Sequence, residues 1–157
     1  MNMESTNERP SHKIKIMVVD DHPVVREGLV QLINQEGDLN VSVRAETADQ
    51  ALAAMDTELI DLAVVDISLV GTDGIDLTQK LVARFPNMPI LILTMHDELS
   101  YVKRAFHFGA RGYITKQDAA ENIVVAIRKL LGGKKYLSDR MLRKCVSADL
   151  GCSNWEI

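Results

Sequence analysis

Asp20 and Asp21 stand side by side after an aliphatic run, Asp66 closes a second such run, Thr94 closes a third, and Lys116 follows a short fourth. If these groups converge, they are the equipment of phosphoryl transfer. That reaction depends on positioning and on neutralising charge around an ionised nucleophile. Crowded carboxylates repel one another, and one takes up a proton unless a cation compensates. All-oxygen donors in a site open to water suit Mg²⁺, which keeps several of its waters and readily meets a phosphate. Lys116 would add a fixed positive charge, and the Thr94 hydroxyl could bond a phosphoryl oxygen. Singly, each residue has an ordinary use: Asp20 or Asp21 as a helix cap, Asp66 as a loop carboxylate, Thr94 as a commonplace strand end, Lys116 as a solvated side chain. Only their joint placement is distinctive.

The surrounding pattern must therefore bring strand ends together. Five β-type runs are expected, at 14–20, 40–45, 62–66, 90–94 and 112–115. Three are almost purely aliphatic, as strands covered on both faces are. The run at 40–45 alternates Val41, Val43 and Ala45 with Ser42 and Arg44, so one face should be wet. The run at 112–115 is mixed, and these two are expected at the edges. Helices fill the gaps. Pro23 suits a first helical position, Thr47 with Gln50 forms a capping box, Asp73, Asp97 and Ser138 are candidate caps, and Asp118 with Glu121 forms a second box. The expected fold is α/β: a flavodoxin-like, doubly wound (βα)5 parallel sheet of order 2-1-3-4-5, plus a short C-terminal helix. Ligands bind such sheets at the carboxyl ends of the strands, where order reverses. Strands 1 and 3 meet there, roughly 5 Å apart.

The chain has 157 residues, 46% hydrophobic and 25% charged, with net charge −4. This suits one folded domain and argues against a broad basic face for nucleic acid. No apolar run approaches a membrane span, and residues 1–12 lack a signal-peptide core. The chain is expected to be cytoplasmic, with no membrane partner. Its two cysteines, Cys145 and Cys152, are too few for a disulfide framework and read as free thiols. Arg128, Lys129, Lys134 and Lys135 read as a solvated helix end or part of a dimer surface.

Val-Val-Asp-Asp-His-Pro (18–23), Asp-Ile-Ser (66–68), Gly-Thr-Asp-Gly (71–74), Thr-Met-His (94–96) and Gly-Ala-Arg-Gly-Tyr-Ile-Thr-Lys (109–116) together resemble the receiver domain of two-component response regulators. The resemblance covers roughly residues 14 to 131. It implies that Asp66 is the phosphoacceptor. It also implies that Asp20, Asp21, Asp66 and the Ser68 carbonyl hold Mg²⁺, and that Thr94 and Lys116 bind the phosphoryl group. Thr94 and Tyr113 would form the switch, Tyr113 turning inward on activation, and Ser68 and His96 would tune hydrolysis. The expected partner is a sensor histidine kinase. The chain would be a signalling switch rather than an enzyme with substrate turnover, catalysing its own phosphorylation and slow dephosphorylation.

Residues 20–29 are similar, more narrowly, to the NarL/FixJ subfamily, whose members usually carry a C-terminal helix-turn-helix domain. Homodimerisation on phosphorylation is implied by that likeness. Too few residues follow 147 for such a module, so DNA contact is expected only through a domain absent from this chain. The division expected is 1–12 disordered lead-in, 13–133 receiver domain, 134–147 linker or extra helix, and 148–157 a tail unlike the family that reads as a frayed or added end. Val70 and Gln117 stand where proline is common in receivers, which leaves the isomer of the Lys116–Gln117 bond open.

Two other classes compete. A haloacid-dehalogenase-like phosphatase also places Asp at a strand end, but needs a second acid two residues later, where Ser68 stands. A flavin-type binding module needs a glycine-rich phosphate loop after strand 1, where Asp-Asp-His-Pro would repel a phosphate.

Overall fold

Alternation of apolar residues sorts the strands onto two helical layers. A computed structural model describes residues 12–69, 73–95 and 99–147. Strands β1 (Ile14–Val19), β2 (Leu39–Ala45), β3 (Leu62–Asp66), β4 (Ile90–Thr94), β5 (Gly112–Thr115) and β6 (Tyr136–Leu137) form one parallel sheet of order β2-β1-β3-β4-β5-β6. Ile16, Val18, Leu62, Val64, Leu91, Leu93 and Ile114 face helices α1 (Pro23–Asn34) and α5 (Lys116–Leu131). Met17, Val19, Ala63, Val65, Ile90, Ile92 and Tyr113 face the other layer. That layer holds α2 (Ala48–Ala54), α3 (Gly74–Arg84), α4 (Leu99–His107) and α6 (Asp139–Ser147). Each fully buried Ile, Leu or Val contributes about 1.5–3 kcal/mol before entropy is counted, so the purely aliphatic strands anchor the fold.

The flavodoxin-like order holds, with three local differences. β5 is not an edge. Tyr136 and Leu137 pair in parallel with Gly112 and Tyr113 as a sixth strand, too short to show a pattern of its own. Nor is β2 wet along one face. Ile16 pairs with Val41 but Met17 with Val43, so Ser42 is an extra residue. One inserted residue reverses the faces that follow. Leu39 and Val41 therefore pack toward α1 and α5, and Val43 and Ala45 toward the opposite layer. Finally, α5 begins at Lys116 rather than at an Asp118 cap, because the Thr115 hydroxyl accepts the Asp118 N–H at 3.2 Å.

Other local expectations hold. Thr47 accepts the Gln50 N–H, Asp73 accepts the Ile75 N–H at 2.9 Å, and Ser138 Oγ accepts the Met141 N–H. Met141 and Cys145 bury one stripe of α6. Cys145 is disulfide-bonded rather than a free thiol; the chain's other cysteine, Cys152, lies outside the described residues. So do the Asp97 cap, the lead-in at 1–11, the 148–157 tail, Val70 and the first half of the 71–74 motif. The Lys116–Gln117 bond is trans. Arg128 is no merely solvated helix end. Its guanidinium meets both Asp38 oxygens at 2.9 Å and Glu36 at 3.0 Å, tying α5 to the turn before β2. Paired with Arg128, the Asp38 carboxyl is held below its ordinary range. No described helix is long and apolar enough to cross a membrane.

Candidate phosphoacceptor site

Asp20 and Asp66 continue the alternation that turns Ile16, Val18, Leu62 and Val64 toward α1 and α5. They leave the sheet at its carboxyl rim on neighbouring strands. Both are fully buried. Asp21 is the next residue along, at the start of the turn into α1, with 13% of its side chain exposed. Lys116 is the first residue of α5, only 6% exposed, and reaches back across the rim. Its Nζ donates to Asp66 Oδ2 at 3.1 Å and lies 3.2 Å from Asp20 Oδ2. A lysine opening a helix opposes the helix dipole; here two buried carboxylates offset that.

The Asp66 carboxylate is held at both oxygens, since Oδ1 accepts the Ser68 N–H at 3.0 Å. Burial nevertheless pushes the Asp66 carboxyl above its ordinary value. The Ser68 N–H pulls it back, the Asp20 charge raises it further, and Lys116 again opposes. Asp20 Oδ1 accepts the His22 N–H at 2.9 Å, so Asp20 serves the turn into α1 as well as the cluster. Its Oδ2, although near Lys116, accepts no hydrogen bond. Buried oxygen of this kind, beside two further carboxylates, is the donor set a hard divalent cation fits. Ligand atoms of Asp20, Asp21, His22 and Asp66 all lie within 4.8 Å of one another.

Thr94 ends β4 fully buried. Its strand register, with Ile92 opposite Tyr113, places Thr94 on the face that Tyr113 shares. Tyr113 already lies inward and fully buried. It shares a cluster with Val102 and Ala105 of α4 and with Leu137, Met141 and Cys145. The β6–α6 segment thus walls in the position toward which the sequence expected a swing. Asp20, Asp21, Asp66 and Lys116 are brought together, Thr94 and Tyr113 stand on the adjoining layer, and His96 lies outside the described residues.

Two residues had no assigned site role in the sequence. His22 turns its Nδ1 into the cluster, 3.0 Å from Asp20 Oδ1 and 3.1 Å from Asp21 Oδ1. Arg26, one turn into α1, donates to the Asp20 carbonyl at 2.9 Å. Their proximity to Asp20-Asp21 in sequence was the available signal.

The response regulator receiver domain family matches residues 16–128. Oxygen regulatory protein NreC of Staphylococcus carnosus (strain TM300) is 33% identical over 135 residues, 85% of this chain and 62% of that protein. A LuxR-family two-component response regulator from Aurantimonas sp. SI85-9A1 superposes with a TM-score of 0.83 at 33% identity, over 88% of this chain and 99% of that one. A CheY-like response regulator receiver domain protein from Methanospirillum hungatei JF-1 gives 0.71 at 28% identity, over 78% and 96%. The chain spans about three-fifths of the length of the curated relatives it matches.

Proposed function

Since the chain belongs to the response regulator receiver family of two-component systems, we propose that it is a phosphorylation-dependent switch that accepts a phosphoryl group on Asp66. The observation that carries this reading is a buried Asp66 held by Lys116 at 3.1 Å beside Asp20 and Asp21. A sensor histidine kinase is the donor, and the chain receives the group in the cytoplasm. An Asp66 oxygen forms a bond to phosphorus as the bond from phosphorus to the kinase imidazole breaks, and that imidazole keeps the electron pair. Lys116 and the Thr94 hydroxyl neutralise and bond the phosphoryl oxygens. Asp20, Asp21, Asp66 and the Ser68 carbonyl would hold Mg²⁺, which when bound supplies charge neutralisation between carboxylates and phosphate. Return to the resting state is slow hydrolysis of the aspartyl phosphate by water, tuned by Ser68 and His96. Residues 13–133 form the receiver unit and 134–147 a linker or extra helix, whose Leu137, Met141 and Cys145 pack against Tyr113. Phosphorylation is proposed to bring two copies of the chain together as a homodimer, in the service of a transcriptional output.

The first measurement is intact-protein mass after incubation with Mg²⁺ and acetyl phosphate. One added phosphoryl group is expected on the wild type, prevented by EDTA and absent from Asp66→Asn. A wild type that gains no mass under any donor would remove the reading.

The signal runs through Thr94 and Tyr113, which share one face of the sheet. Phosphorylation adds close to two negative charges and three acceptor oxygens. Drawing Thr94 toward that charge opens room behind it, and the inward Tyr113 is the state so favoured. This is a population shift in a bistable element. Tyr113→Ala, verified as folded by circular dichroism, is expected to accept phosphate as the wild type does. It should show no phosphorylation-dependent change in sedimentation. An unaltered change would exclude Tyr113 as the relay.

A further inference from the structure

Phosphoryl acceptance as described assigns no task to His22, yet this residue places an imidazole inside the acidic cluster. Its Nδ1 lies 3.0 Å from Asp20 Oδ1, 3.1 Å from Asp21 Oδ1, 3.6 Å from Asp66 Oδ2 and 2.9 Å from Lys116 Nζ. Adjacent donors on an octahedral cation with bonds of about 2.1 Å stand about 3 Å apart. Nδ1 keeps that spacing to Asp20 Oδ1 and Asp21 Oδ1, while the Lys116 ammonium at 2.9 Å stands beside it as a charge and not as a donor to the ion. The backbone holds the imidazole there, because His22 is the N-cap of α1, is followed by Pro23, and gives its N–H to Asp20 Oδ1. The side chain is 55% exposed, so meeting a hydrated ion involves little further desolvation. Beside it the fully buried Asp20 Oδ2 accepts no hydrogen bond.

We infer that His22 is a direct ligand of the divalent cation at this site, and that its imidazole shifts the site toward first-row transition ions over Mg²⁺. The inference rests on the acidic site being a cation site, as proposed above. Mg²⁺ is a hard ion that gains little from a nitrogen donor. Affinity for imidazole-containing sites rises from Mn²⁺ through Co²⁺ and Ni²⁺. One nitrogen among three carboxylates leaves Mg²⁺ binding nearly intact and strengthens the transition ions. The ion chosen then sets how strongly the site polarises an incoming phosphoryl oxygen.

The test is calorimetric titration of the whole chain with Mg²⁺ and with Co²⁺, for the wild type, His22→Ala and Asp21→Asn. It is paired with pulsed electron paramagnetic resonance of the Mn²⁺-loaded proteins. His22→Ala is expected to weaken Co²⁺ about tenfold while Mg²⁺ changes less than about twofold. Nitrogen modulation of the Mn²⁺ signal is expected in the wild type and not in His22→Ala. Equal losses for the two ions, or a wild-type Mn²⁺ signal without nitrogen modulation, would overturn His22 as ligand and leave the carboxylate site standing. A wild type that binds none of the ions, or an Asp21→Asn chain that binds them as well as wild type, would overturn the cation site and this inference with it.

Discussion

Replacing Asp66 by Asn is expected to raise stability at neutral pH while removing phosphoryl acceptance. Burial and the Asp20 charge hold the folded-state pKa of Asp66 above its ordinary value of 3.8. Between that value and the folded pKa, the native state keeps a proton that the unfolded chain has released. Stability therefore falls as pH rises through this window and reaches its floor above the folded pKa. An amide of the same shape has no charge to desolvate, and Lys116 keeps Asp20 as a partner at 3.2 Å. The expected gain is of the size of a single favourable substitution, on the order of 1 kcal/mol; it is fullest at neutral pH and shrinks toward zero as pH falls to 3.8. Urea denaturation across this range measures it. Mg²⁺ should narrow the difference, because a ligand of the native state stabilises it by mass action and the Asn variant lacks one donor. Parallel pH profiles for the two proteins would mean that Asp66 carries no such penalty.

Gly74→Ala is expected to damage both the fold and the site, although Gly→Ala within a helix ordinarily gains up to about 1 kcal/mol. Gly74 opens α3 directly beneath the end of β3. A β-carbon there would collide with the Asp66 carbonyl oxygen and stand 2.6 Å from the Ile67 Cα. Both are backbone atoms and cannot rotate aside. The same approach lets the Gly74 N–H bond the Ile67 carbonyl at 2.9 Å. Overpacking of this kind costs roughly 1–3 kcal/mol, so the collision outweighs the helical gain. The net loss should be about 1 kcal/mol, with slower phosphoryl uptake because Asp66 shifts. Gly28→Ala in α1 is the control. Nothing lies within 4 Å of its added carbon, and it should stabilise by roughly 0.5–1 kcal/mol. If the two variants changed denaturation midpoints in the same direction, the contact at Gly74 would not govern the site.

Much of the site was legible because burial leaves a direct mark on residue type. Ile16 to Val19, Leu62 to Val65 and Ile90 to Leu93 are apolar at every position, which only a strand covered on both faces tolerates. Polar groups immediately after such runs, Asp20, Asp21 and Asp66, had to emerge at one rim of a parallel sheet. Lys116 was legible as a fixed positive charge facing the carboxylates, but its position between Asp66 and Asp20, at 3.1 and 3.2 Å, was not. That position follows from Thr115 starting α5 three residues before the expected cap.

The amino-acid sequence by itself determined the layer architecture, the strand order and the identity of the converging acids, because alternation and apolar runs are local records of burial. Tertiary structure alone decided the rest. The Ser42 bulge turns Val43 and Ala45 to the opposite layer. Tyr136 and Leu137 become a strand only by pairing with β5, and with α6 they enclose Tyr113. Arg128 finds Asp38 ninety positions away in the chain, and the His22 imidazole turns its Nδ1 edge toward the carboxylates. Each depends on a contact between segments distant in sequence or on one rotamer, and neither leaves a periodic trace in a single chain.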